Sequence, residues 1–113
     1  MQQTDVTEGI FTALKTGNAK ELVKYFSDNV ELVIFDKEAV YSKTQAEQII
    51  KDFFSKNPPS NYTKLHDGGK KDASRFVIGK LSTAKGQFRL TFLMVNSNGV
   101  LTINKFSIEN DNN

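Results

Sequence analysis

The N-terminal part of the chain has apolar residues at helical spacing. Over residues 5–16 the apolar positions fall on one stripe, and Gly17 is placed to end the helix. Asn18 can then cap a second helix, which ends near Ser27. The apolar residues of the two stripes are Val6, Ile10, Ala13, Leu14, Leu22, Val23 and Phe26. We therefore expect two short helices packed as a tight hairpin.

A strand pair and a third helix follow. Residues 30–41 combine a β-branched and aromatic run with a turn at 36–38 and a short returning strand. Ser42 and Gln45 then have the spacing of a capping box. The strongest helical stripe of the chain comes next, and it ends before Pro58, because proline cannot continue a helix. The stripe consists of Ala46, Ile49, Ile50, Phe53 and Phe54.

The rest of the chain is rich in strand signals. Four strands are predicted, at residues 61–66, 74–83, 87–96 and 100–109, each bounded by turn-forming residues. The order α-α-β-β-α-β-β-β-β predicts an α+β fold in which a strongly curved mixed or antiparallel sheet, a cone, surrounds three helices. With 113 residues, the chain is long enough for one domain spanning residues 1–113.

The register of the last two strands decides which side chains share a face. A three-residue loop at 97–99 pairs Phe92 with Asn104, whereas a two-residue turn places Phe92 opposite Lys105, so we favour the three-residue loop. In that register four apolar residues fall on the face that has no helix to cover it. They are Leu93, Val95, Leu101 and Ile103. Because exposed apolar patches often mark interfaces, we expect a homodimer through this part of the sheet. The alternative is that the bent sheet takes these residues into its own core at one end and leaves a monomer.

Composition excludes several kinds of site. The chain has no cysteine and one histidine, so we expect no metal site and no cofactor. Its 15 basic and 13 acidic residues are scattered, which disfavours nucleic-acid binding, and no apolar stretch is long enough to insert into a membrane. The start Met1-Gln2-Gln3 is typical of an exported protein whose signal peptide has been replaced by an initiator Met. We therefore expect a periplasmic or secreted protein rather than a cytoplasmic one.

Three segments resemble the nuclear transport factor 2-like, or cystatin-like, superfamily of α+β cones. Residues 7–18 match its small helical hairpin, residues 22–32 its first strand, and residues 46–54 its helix ending in paired aromatics. Within the superfamily, the chain looks most like an uncharacterised bacterial branch of small exported proteins. The resemblance covers nearly the whole chain and implies a cone with a ligand-sized mouth.

The resemblance does not imply one activity, because the superfamily includes isomerases, dehydratases, cyclases, hydrolases and non-enzymatic binders. Isomerase-like members carry a carboxylate base on the first strand, and counting from Asp28-Asn29 places Ile34 there, with Asp36 two residues further on. Dehydratase-like members share a His–Asp pair, which the strand-end pair His66-Asp67 does not match. Neither catalytic motif is therefore present.

Three residues are candidates for catalysis, each with a simpler interpretation. His66 has the side chain best suited to proton transfer near neutral pH, but it is also placed as an exposed strand end. Asp36 could act as a base if desolvated, although it is a typical turn former. Lys80 shares a face with Phe76 and Ile78 and could hold an anion or act as a nucleophile, or extend to the rim.

Polar side chains that could line the cone are also identifiable. The candidates for a ligand cavity are Tyr25, Tyr41, Tyr62, Lys80 and Asn104. Acid–base catalysis needs at least two positioned titratable groups, and the sequence shows one or none. We therefore favour a non-catalytic binding or interaction domain. It would use the cone for a small apolar ligand or the sheet for a protein partner. The alternative is a small-molecule lyase, isomerase or hydrolase with an unfamiliar acid–base set.

Overall fold

A computed structural model describes residues 6–70 and 73–111 of the chain, so the Met1-Gln2-Gln3 segment lies outside the described residues. The predicted α+β class and element order are confirmed. The helices are α1 (Val6–Thr16), α2 (Ala19–Leu22, continued by a 3₁₀ turn at Val23–Tyr25) and α3 (Lys43–Lys56). The strands are β1 (Phe26–Ile34), β2 (Lys37–Ser42), β3 (Pro59–Lys70), β4 (Ser74–Thr83), β5 (Gly86–Ser97) and β6 (Val100–Asn110).

Local signals place the helix ends. The Asn18 side chain accepts a hydrogen bond from the backbone N–H of Glu21, which caps α2. Helix α3 begins at the predicted capping box, in which the Ser42 hydroxyl accepts from the Gln45 N–H at 3.2 Å and the Gln45 side chain accepts from the Ser42 N–H at 3.0 Å. The second helix is shorter than predicted, because Phe26 already has extended backbone and begins β1.

The six strands form one open mixed sheet in the order β2-β1-β6-β5-β4-β3. Neighbouring strands are antiparallel except for β1 and β6, which run parallel. The helices cover one face, which we call the inner face, and the opposite face is the outer face. On β4 and β5 the fully buried residues alternate with half-buried or exposed ones, as expected when only one face of a sheet is covered.

The inner face and the helices share one apolar core. Its largest completely buried side chains are Phe26, Phe92, Phe106, Ile10, Leu14, Leu22, Leu32, Ile50, Leu81, Leu90, Met94 and Ile103. Phe11 of α1 packs against the β3–β5 side of the sheet, with its ring centroid 5.6 Å from that of Tyr62 and 6.4 Å from that of Phe92. The predicted inward packing of α3 through Phe53 and Phe54 is confirmed, since both are buried.

The predicted register of β5 and β6 is wrong. Ser97 pairs with Val100 across a two-residue turn, and its central residues Asn98 and Gly99 both have positive φ, 54° and 86°. Such turns match the twist of paired strands. An irregularity then follows, in which Leu93 pairs with Lys105 and Met94 with Ile103, so that Asn104 is the extra residue of a β-bulge.

The two-residue turn divides the four residues expected to form one dimer patch. Between this turn and the bulge, Ile103 lies opposite Met94 and is completely buried, and Leu101 also packs against the core. Leu93 and Val95 lie on the outer face, opposite Lys105 and Thr102. A one-residue offset moves side chains to the other face, and this is why the register with a three-residue loop grouped residues that the structure separates.

Candidate functional site

Aromatic side chains occupy the interior of the cone. Tyr62, a predicted cavity residue, is buried, and its hydroxyl donates to the backbone oxygen of Leu90 at 3.0 Å. Burial raises the pKa of this hydroxyl above its ordinary value. Gly79 on β4 makes room for the ring, because a Cβ there would clash with it. Tyr62 is therefore a hydrogen-bonded core residue rather than a free ligand contact.

The other predicted cavity residues lie at the edges of the core or outside it. Tyr25 and Tyr41 are half-buried and pack against the core, and the Tyr25 ring lies close to Gly9 of α1. Asn104 is exposed at the β6 bulge. Lys80 lies on the outer face, opposite Arg89. The structure does not bring these five candidates together around one cavity.

Three phenylalanine rings meet near the β1–β2 turn. Phe53 of α3 and Phe88 of β5 have ring centroids 5.2 Å apart, and Phe35 lies 6.3 Å and 5.9 Å from them. Phe35 is 39% exposed and has a φ of 58°, which is unusual for a bulky residue. A shallow depression of about 560 Å³ adjoins it, lined also by Asp36, Glu109 and Asn110. We call the three rings the aromatic mouth.

The three catalytic candidates do not lie on the inner face. The β1–β2 turn consists of Phe35 and Asp36, rather than residues 36–38, and Asp36 is exposed there. His66 is exposed on the outer face, with its ring centroid 5.5 Å from that of Phe76. Lys80 occupies the same face, and its ammonium group contacts the Asp111 carboxylate at 3.2 Å. None of them faces the aromatic interior.

One charged cluster was missed by the sequence reasoning. The Asp67 carboxylate accepts hydrogen bonds from Arg75 at 3.0 Å and from Lys64 at 3.3 Å, near the turn of the β3–β4 hairpin. A β3 irregularity between Lys64 and His66 sets this arrangement, and nothing in the local sequence signals it. The Asp67 carboxylate is therefore engaged by two ion pairs rather than free in the site.

The outer face carries an apolar patch on β4 and β5. Phe76 pairs with Leu93 in register, Ile78 lies two residues along β4, and Val95 two residues along β5. All four are half-buried. The Phe76 ring covers Gly68 on the neighbouring strand, where a Cβ would clash with it. We call Phe76, Ile78, Leu93 and Val95 the outer patch.

Charged side chains lie beside the outer patch. Lys105, opposite Leu93, approaches Glu31 of β1 with an N–O distance of 3.8 Å. A side-chain hydrogen bond with Glu38 raises the pKa of Glu31, while the positive charge of Lys105 acts in the opposite direction. The patch is therefore flanked by a cation and carboxylates side by side.

The described part of the chain contains no group of three His, Asp or Glu residues suited to bind a metal ion. In the same residues, no helix is both long and apolar enough to cross a bilayer.

Comparison with known proteins identifies relatives over nearly the full length. The family model described as "Domain of unknown function (DUF4783)" matches residues 7–109. A DUF4783 family protein from Bacteroides uniformis is 36% identical, with a TM-score of 0.91, covering 96% of this chain and 100% of that one. A DUF4783 family protein from Bacteroides ovatus is 33% identical, with a TM-score of 0.87 and coverage of 93% and 94%. These relatives indicate a bacterial origin.

A more distant structure supports the fold. An NTF2-like protein of unknown function from Cytophaga hutchinsonii is 14% identical, with a TM-score of 0.68, covering 98% of this chain and 93% of that one. The predicted nuclear transport factor 2-like architecture is thus confirmed at the level of fold. None of the curated proteins compared matches the chain.

Proposed function

The chain belongs to the DUF4783 family, whose description names no activity, and from this premise we propose that it is a non-catalytic interaction domain. The outer face of its sheet binds a protein partner. The enzymatic alternative has less support, because His66 and Lys80 lie on the outer face and Asp36 in an exposed turn. Acid–base catalysis needs positioned groups that converge on a substrate.

The outer patch is the observation that carries this proposal. Its four apolar side chains are contiguous across two central strands, on the face that the helices do not cover. A sheet with one helical layer needs only one apolar face to fold. A second apolar cluster is therefore better explained by binding than by folding.

We take a second copy of the chain as the partner, for two reasons. The patch is apolar at its centre, so two copies related by a two-fold axis can cover it mutually. Lys105 and Glu31 lie side by side next to it, which lets a two-fold axis place the cation of one copy near the carboxylate of the other. This retains the homodimer expectation but restricts its apolar core to the outer patch, without Leu101 and Ile103.

Sedimentation velocity at about 100 μM tests the proposal. An interface near the standard size of about 1,600 Å² should hold at that concentration, so we expect a dimer of the unmodified protein. Leu93→Glu should give a folded monomer. Leu65→Glu is the matched control, because Leu65 is 56% exposed on edge strand β3 and lies outside the patch. It should remain dimeric, whereas a monomeric unmodified protein would contradict the homodimer.

A second candidate function is binding of a small apolar ligand at the aromatic mouth. The observation in its favour is the exposed Phe35 ring, whose backbone N–H is held by the Ile108 oxygen at 2.8 Å while the ring covers Phe53 and Phe88. Mass spectrometry of molecules carried through purification tests it. An apolar molecule retained by the unmodified protein but lost in Phe35→Ala supports this site, and retention by both proteins argues against it.

A further inference from the structure

Two cations lie directly opposite each other on the outer face. Lys80 of β4 and Arg89 of β5 are register partners, and both strands lie inside the sheet rather than at its edges. Like charges in directly opposed positions destabilise a sheet unless an anion lies between them. The sequence predicts that Lys80 could hold an anion, and the structure places Arg89 beside it as a second cation. Alternation along one strand does not reveal this partner.

The anion at this position comes from the chain itself. Asp111, which follows β6, places one carboxylate oxygen 3.2 Å from the Lys80 ammonium nitrogen and the other 4.0 Å from Nη2 of Arg89. The Asp111 side chain is only 6% exposed, compared with 35% for Lys80 and 48% for Arg89. One carboxylate therefore bridges two cations and is itself largely withdrawn from water.

The two sides of this contact differ in how they are held. The cations stand on paired central strands, so their backbone positions do not depend on Asp111. Asp111 lies beyond the last residue of β6 and outside any strand. Glu109 of β6, the strand on the other side of β5, is also a register partner of Arg89. When Asp111 is removed, the two cations and the Glu109 carboxylate remain, and together they carry a net charge of one positive unit.

We propose that Lys80 and Arg89 form an oxyanion-binding site that Asp111 occupies in the free protein, and that a carboxylate or phosphate group of another molecule can replace it. The ligand class follows from the occupant, since the site already holds a carboxylate through its two oxygens. Phosphate presents oxygens in a comparable arrangement, and both cations suit it. The site does not depend on the proposed dimer.

Thermal unfolding with added anions tests this site. The proteins are the unmodified chain, Asp111→Ala, and Asp28→Ala, which removes one carboxylate from an exposed position at the start of β1. Each is melted in about 100 mM inorganic phosphate, acetate or chloride at equal ionic strength. Phosphate stabilises most proteins because it is excluded from their surfaces. The rise in melting temperature of the unmodified chain measures this general effect, and the other rises are compared with it.

We expect phosphate or acetate to raise the melting temperature of Asp111→Ala more than that of the other two proteins. A dissociation constant of about 10 mM gives an additional rise of roughly 5 °C at about 100 mM ligand. Adding Lys80→Gln to Asp111→Ala should abolish the additional rise. A response to phosphate alone or acetate alone identifies the preferred oxyanion, and either supports the site.

Equal increments in all three proteins would overturn the proposal, as would an additional rise that survives Lys80→Gln. If Asp111→Ala does not fold, Asp111→Asn provides the same comparison, because it removes the charge and keeps the size of the side chain. An Asp111→Asn protein that gains nothing from either anion beyond the unmodified increment would also overturn it.

Discussion

The two faces of β4 and β5 differ although the same residues build both strands. On the inner face Val77, Leu90 and Phe92 are completely buried against the helices. On the outer face Phe76 and Leu93, their immediate neighbours in the chain, are only half-buried. Inner-face side chains therefore determine stability, while outer-face side chains can change with smaller cost to folding. The comparison indicates where a family of this fold can place a binding function.

The largest expected effect comes from a charge on the inner face. Ile103→Glu should unfold the protein, because it buries an unpaired carboxylate at a completely buried position. Leu93→Glu should leave the fold intact, since Leu93 lies on the outer face beyond the β6 bulge. Circular dichroism and one-dimensional NMR of the two variants check this pair. A folded Ile103→Glu would show that Ile103 does not face the core and that the β5–β6 register is wrong.

Truncation of a core ring should have the next largest effect. Phe53→Ala should lower the free energy of unfolding by about 3–5 kcal/mol, because it leaves a cavity between α3 and the sheet. Phe76→Ala, on the outer face, should cost about 1 kcal/mol. Urea unfolding measures both values. A loss below about 1 kcal/mol for Phe53→Ala would mean that α3 does not pack through this ring.

Tyr62 provides a pH test of the inner face. An unfolded Tyr titrates near pH 10, and burial raises the pKa of Tyr62 in the folded protein. The contribution of Tyr62 to the free energy of unfolding is therefore complete below about pH 10 and is lost as pH rises further. At pH 8, Tyr62→Phe should be less stable by about 1 kcal/mol, through the lost hydrogen bond to Leu90.

At pH 11 the difference between the two proteins should disappear or reverse. At one pH unit above the pKa of unfolded Tyr62, its ionisation stabilises the unfolded state and lowers the free energy of unfolding by about 1.4 kcal/mol. Tyr62→Phe has no hydroxyl to ionise and does not lose this stability. Urea unfolding at both pH values measures the change, and lysine titration affects both proteins alike. A difference independent of pH would indicate that the Tyr62 hydroxyl reaches water.

Local signals explain which parts of the fold could be predicted. The Ser42–Gln45 capping box and the α3 stripe depend on residues a few positions apart, and the structure confirms both. The β5–β6 register also depends on the Asn104 bulge, which responds to long-range packing of Ile103 and Phe106 on the inner face. A pattern of alternation cannot reveal an inserted residue of this kind.

The same limit applies to the candidate site. Alternation grouped Lys80 with Phe76 and Ile78, and the structure confirms that they share a face. It could not show that the helices cover the opposite face, because that depends on how α1 and α3 pack. The contact of Lys80 with Asp111 joins positions 31 residues apart in sequence, and no local motif marks it.

Concentration-dependent NMR tests the central claim most directly. Amide and methyl spectra of the unmodified protein are recorded between about 10 μM and 500 μM, a range that spans weak and standard interfaces. We predict that shift changes concentrate at Phe76, Ile78, Leu93 and Val95, with inner-face Phe92 nearly unchanged. Changes centred instead on the aromatic mouth, or none at any concentration in a protein that sediments as a monomer, would contradict an interaction surface on the outer face.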